Sequence, residues 1–197
     1  MHMQWKRWNQ GLRNANLFPL AIALTLSALH LPSCQPPENE LRFETIDQDD
    51  GHYWGTHQGK EPKLLVLTDS EEIAALYRVV SQPATRVNTD SGETWQYPDW
   101  RLQGMDWEAF FVVIAFQGRR QTTGYSVTIQ RITQQRQSIN IRAQFDAPEP
   151  LHTVHELVTS PLHVVKVQKS DELRGKEFQF SLVVNGRIVA ETSHLLP

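Results

Sequence analysis

Phe110-Phe111-Val112-Val113-Ile114-Ala115-Phe116 is followed by Gln117-Gly118-Arg119-Arg120-Gln121-Thr122-Thr123 and then by Gly124-Tyr125-Ser126-Val127-Thr128-Ile129-Gln130-Arg131-Ile132. The first stretch is apolar at every position and too short for a well-formed helix, so it reads as a strand buried on both faces. The second is a polar turn, and the third returns with Tyr125, Val127 and Ile129 on one face, which suits a half-buried strand. These two strands with a turn at residues 118–124 predict a β-hairpin with Arg119 and Arg120 at its tip.

Working outward, the same signals continue toward the carboxy terminus. Ile139, Ile141 and Ala143 alternate with Asn140 and Arg142, and Pro148 and Pro150 break the pattern. His163 to Val167 reads as another apolar strand, and Phe178–Val184 and Arg187–Ala190 flank Asn185-Gly186. That dipeptide favours a type I′ turn, because both central residues need positive φ. Toward the amino terminus, Leu41, Phe43 and Thr45 alternate with Arg42 and Glu44 in a strand ending near Ile46. Lys63–Leu67 reads as a buried strand. It leads into a helix near residues 70–81, where Asp69 or Ser70 can cap and Ile73, Leu76, Tyr77 and Val80 share one face. The expected fold is mainly β within the α+β class, an antiparallel sheet or sandwich with that one covering helix.

Ahead of this domain, Lys6, Arg7 and Arg13 precede an apolar run from Leu17 to Leu31, and no Asp or Glu occurs before Glu38. The run would rise only about 22 Å as a helix, against a hydrocarbon core of about 30 Å. It reads as an export signal rather than a permanent span. Leu31, Ser33 and Cys34, with Pro32 among them, resemble the bacterial lipobox, in which the cysteine receives diacylglycerol before cleavage. The resemblance implies a signal peptide over residues 1–33 and a mature protein held at a membrane through lipid on Cys34. It further implies outer-membrane sorting where two membranes exist, because Gln35 is not the Asp that retains many lipoproteins inside. Residues 34–40, with Pro36 and Pro37, read as a tether, and 41–197 as a single β-rich domain. Cys34 is the only cysteine, so an intramolecular disulfide is excluded.

Three of the 19 basic residues and none of the 22 acidic ones precede Cys34, leaving the remainder at a net charge of minus six. A mildly acidic chain without a basic stripe argues against nucleic acid as a partner.

Residues 106–167 resemble the C-terminal domain family of PrcB, a bacterial protease-complex subunit. The residues that carry the likeness are Asp106-Trp107, Gly118, Thr123-Gly124-Tyr125-Ser126-Val127, Pro148, Pro150 and Ser160-Pro161-Leu162-His163-Val164-Val165. The family includes lipoproteins thought to support assembly of cell-envelope proteases, and it supplies no catalytic residue to carry over. What the resemblance implies is a non-catalytic accessory or protein-interaction subunit of the cell envelope, with an envelope protease as partner and no cofactor.

The residues themselves point to no catalytic or metal site. His152, His155 and Glu156 suggest a metal cluster, but Thr153, Val154, Val158 and Thr159 favour a strand, on which residues three apart face opposite sides. Asp47, Asp49, Asp50 and Gly51 suggest a calcium loop, yet the glycine comes one place early and Gln58 stands at the twelfth position, so a solvated acidic turn is expected. Ser126 follows Gly124-Tyr125 as in a nucleophile elbow, but Thr128 replaces the second glycine. His52 and His57 lie in a glycine-rich loop with Tyr53 and Trp54, where backbone demands account for the composition. Arg119 and Arg120 could grip an acidic partner. The alternative to a protein-interaction subunit is a glycan or small-ligand module, with Trp95, Tyr97 and Trp100 as a stacking platform.

Overall fold

The computed structural model describes residues 38–197, apart from 52–53, 82–84, 88–89, 93, 97–100 and 152. In chain order the elements are β1 (Asn39–Glu40), β2 (Phe43–Asp49), β3 (Thr56–His57), β4 (Lys63–Leu67), α1 (Ile73–Val79), β5 (Val80–Ser81), β6 (Thr85–Val87), β7 (Thr94–Gln96), β8 (Phe110–Phe116), β9 (Ser126–Gln135), β10 (Ser138–Asp146), β11 (Leu162–Gln168), β12 (Lys176–Val184) and β13 (Arg187–Leu196). Two sheets carry the fold. One has the order β1-β9-β10-β12-β13 and the other β2-β11-β8-β4, while β3-β5 and β6-β7 form two-stranded ribbons.

The continuous apolar character of β8 has a direct cause. Phe111, Val113 and Ala115 face the five-stranded sheet, packing with Ile129, Ile132, Ile139, Ile141, Phe178, Phe180 and Leu182. Val112, Ile114 and Phe116 face the opposite way, into a second core with Trp54, Leu67, Leu76 and Leu102. The four-stranded sheet is therefore a middle layer with no wet face at its centre, which removes the polar half of the usual alternation. β11, its neighbour, divides likewise, with Val165 and Val167 in the first core and Leu162 and Val164 in the second.

The five-stranded sheet is covered on one face only, so its strands alternate. A bulge is needed to keep them in step. Ile129 pairs with Ala143 and Arg131 with Arg142, so Gln130 is the extra residue. That single insertion lets Ile129 and Ile132, three positions apart, both point into the core. Among the described residues every pairing between strands is antiparallel except β10 with β12. A parallel pair needs a long crossover, and here the chain makes it by leaving through Pro148 and Pro150 and running β11 in the other sheet.

Three expectations are corrected. Residues 117–124 do not close a hairpin, because β8 and β9 belong to different sheets. β8 needs burial on both faces and β9 on one, so the connection crosses between layers. The strand from Phe43 continues past Ile46 to Asp49, held by pairing to β11. Residues 153–158 are not a strand; only Thr159 forms a bridge, with Arg120. His155 is held by Thr123 instead, with His155 O accepting from Thr123 N (3.1 Å) and Thr123 Oγ1 accepting from His155 N (3.0 Å), and Leu157 N donates back to His155 O (2.9 Å).

The helix forms within the expected segment but is shorter. Asp69 Oδ1 accepts from Glu71 N (2.8 Å) and Glu72 N (3.0 Å), while Glu72 Oε2 accepts from the Thr68 backbone and hydroxyl. This reciprocal arrangement works as a capping box does. α1 stops at Val79 because Val80 turns extended (φ −107°, ψ 151°) and β5 pairs with β3. Leu76 is fully buried against the sheet. The Asn185-Gly186 turn forms as expected, with φ of 52° and 74° joining β12 to β13.

Candidate functional site

The loops that join the two sheets gather at the end of β8 where Phe116 lies. Gln117 N donates to Pro161 O (2.9 Å), Arg119 N to Gly59 O (2.8 Å), and Arg120 exchanges bonds with Thr159 at 2.9 and 3.0 Å. Thr159 Oγ1 donates to Thr122 O (2.9 Å). Residues 117–123 are thus strapped between the Gly59 turn and the 155–161 segment. Gly118, at φ +89°, makes this possible, since a Cβ there would stand 2.3 Å from Lys60 O.

Arg119 and Arg120 are therefore not exposed tip charges. Both are half-buried. Arg120 Nη2 donates to Gln117 O (2.9 Å), and its guanidinium lies 5.5 Å from the Tyr125 ring centre, within cation–π range. The charge that the sequence offers to an acidic partner is partly engaged in holding the strap.

The acidic turn is also structural rather than solvated. Trp54 is fully buried, and its Nε1 donates to Asp47 Oδ2 (3.0 Å), which also pairs with Arg101 Nε (3.3 Å). Asp49 Oδ2 accepts from Trp54 N (3.3 Å), and Ser160 N donates to Asp50 O (2.7 Å). These carboxylates position a tryptophan. Among the described residues no group of three or more His, Cys, Asp or Glu side chains is arranged to hold a metal.

His163 is the titratable group that sequence reasoning passed over. It is 3 % exposed on β11, where its Nδ1 accepts from Ile129 N on β9 (2.8 Å) and its Nε2 meets Thr45 Oγ1 (2.9 Å). An amide N–H can only donate, so Nδ1 carries the lone pair and Nε2 the proton. The ring joins the two sheets. Burial pushes its pKa below the ordinary value of 6.5, with Asp47 partly opposing. Lys169 is held similarly: 6 % exposed, its Nζ donates to Trp107 O (2.8 Å), and burial lowers its pKa against the pull of Glu108. A histidine alternating with valines inside a buried strand was the sequence signal for the first. None was visible for the second.

The remaining candidates are dispersed. Ser126 starts β9 and its hydroxyl is 3.3 Å from Asp146 Oδ2. His57 lies in β3 with its ring 5.5 Å from that of Phe116, and its partner in the expected loop, His52, lies outside the described residues with Tyr53. Of the stacking platform, Trp95 is placed by its backbone in β7 opposite Arg86, and Tyr97 and Trp100 lie outside the described residues, as do His152 and Cys34. Among the described residues no helix is long and apolar enough to cross a membrane.

No curated protein and no solved structure matches this chain. Residues 111–168, running from β8 through β11 and so supplying the central strands of both sheets, match the model of the PrcB C-terminal family.

Proposed function

We propose that this protein is a non-catalytic, lipid-anchored accessory subunit of the bacterial cell envelope that supports assembly of a secreted protease. The observation that carries the reading is the PrcB C-terminal match over residues 111–168, which points to association with a protease complex. The matched segment also contains the strap at 117–123 and the loop at 149–158, where Leu151, Leu157 and Val158 are exposed. Apolar side chains held outward between the sheets are suited to a protein contact. The anchor rests on Leu31, Ser33 and Cys34, and placement at an outer membrane on Gln35.

The test is co-purification from the native envelope. The tagged chain, extracted from membranes with mild detergent, should carry casein-hydrolysing activity through a sizing column, and a Leu151→Ser/Leu157→Ser variant should lose it while remaining folded. Cys34→Ala should remove acyl mass from the intact protein and release it from the membrane. A native chain that elutes without proteolytic activity would refute the assembly role, and a Cys34→Ala protein of unchanged acylation would refute the anchor.

A further inference from the structure

The outer face of the five-stranded sheet carries an open groove of about 410 Å³ above β10, lined by Gln130, Arg142, Gln144, Asp146, Val183 and Asn185. Its polar groups are oriented before any ligand arrives. Gln130 Nε2 donates to Gln144 Oε1 (2.8 Å), Gln144 Nε2 donates to Asp146 Oδ1 (2.7 Å), and Ser126 Oγ lies 3.3 Å from Asp146 Oδ2. This chain fixes both amides, leaving the Gln130 carbonyl and the second N–H of each amide turned to the groove or to solvent.

Arg142 stands at the other end. It is directly opposite Arg131 across the β9–β10 pair, an arrangement of like charges that costs stability. Arg131 is compensated by Glu40 at 3.1 Å. Among the described residues the Arg142 side chain has no hydrogen-bond or ion-pair partner, so one guanidinium lines the groove without a paired counter-charge. Arg142, Gln144 and Asp146 alternate on one face, which sets the backbone positions of the cation-bearing and carboxylate-bearing residues about 13 Å apart along the strand. An anion at the Arg142 end therefore avoids Asp146.

We propose that this groove binds an acidic saccharide. The sugar carboxylate sits on Arg142 in the bidentate geometry that guanidinium favours. Ring hydroxyls, which both donate and accept, meet the amides of Gln130, Gln144 and Asn185 and the Asp146 carboxylate. The C–H face of a ring rests on Val183. A free small anion would use only the Arg142 end, and a neutral sugar only the amide end; the full length of the groove is matched by a ligand carrying both. None of the groove residues belongs to the loops assigned to protein assembly, although Gln117 Nε2 donates to Asp146 O (3.2 Å), so failure to bind a sugar leaves that reading untouched.

The experiment is calorimetric titration of the full chain in detergent with galacturonic acid trisaccharide, maltotriose and sodium acetate. Saturable binding of the acidic trisaccharide is expected, weakened roughly tenfold or more by Arg142→Gln, which removes a charge-assisted pair. Gln144→Ala should weaken it as well, and neither variant should lower the urea midpoint appreciably, because both side chains are exposed and Arg142→Gln also relieves the like charge opposite Arg131. Absence of binding at millimolar sugar would overturn the proposal. So would equal affinity for maltotriose, equal affinity for acetate, or an Arg142→Gln protein that binds as the native one does.

Discussion

Replacing His163 by Leu isolates the contact that ties the two sheets together. The substitution keeps an apolar side chain of similar bulk in a site that is 3 % exposed, but it removes the acceptor for Ile129 N. Thr45 is exposed and can turn its hydroxyl to water, so its loss is small. The buried Ile129 N–H has no such recourse, and an orphaned donor costs about 1–3 kcal/mol. For a chain of this size that corresponds to a fall in Tm of roughly 2–12 °C. The same residue makes stability depend on pH. The folded state holds the ring neutral, with its pKa below 6.5, whereas the unfolded chain takes up a proton near that value. Below pH 6.5 the unfolded state therefore binds more protons, so the contribution is complete above 6.5 and is lost as pH falls toward the folded pKa, at a slope of up to about 1.4 kcal/mol per pH unit. Urea unfolding followed by tryptophan fluorescence at pH 7.5 and 5.0 measures both effects. The native protein should lose more stability between the two pH values than His163→Leu does. Identical pH profiles, or a variant as stable as the native protein at pH 7.5, would refute the reasoning.

Gly118→Ala should destabilise by about 3 kcal/mol or more, since the residue sits at φ +89° and its Cβ would strike Lys60 O. Gly175→Ala, at φ +67° with nothing within 4 Å, should cost only about 1–2 kcal/mol, and thermal melts of the two side by side separate steric clash from backbone preference. Trp54→Phe removes the indole donor to Asp47 and should lower stability by about 1–3 kcal/mol, read as a reduced urea midpoint; an unchanged midpoint would mean that the carboxylate's other partners, Arg101 and the Gln48 N–H among them, satisfy it without the indole.

Much of the architecture is visible in local pattern. Phe110 to Phe116 announces burial on both faces, Asn185-Gly186 announces its turn, and Asp69 or Ser70 ahead of Ile73 announces the helix start, because each depends on residues a few positions apart. The proposed anchor at Cys34 rests likewise on linear sequence alone. Partner choice between strands does not. Two consecutive strands with a turn between them describe a hairpin and a crossover equally well, and only the need to cover both faces of β8 sends β9 into the other sheet. Candidate sites fared in the same way. The charges of Arg119 and Arg120 are evident from the chain, but their half-burial comes from Gly59, Thr159 and Tyr125, far away in sequence. The Gln130 bulge, the His163 bridge and the opposed Arg131 and Arg142 exist only once strands are in register. Sequence by itself determined that this is a β-rich chain, because strand periodicity is a short-range property. Tertiary structure decided which faces are dry and which polar groups converge, because those depend on contacts between residues that the chain order keeps apart.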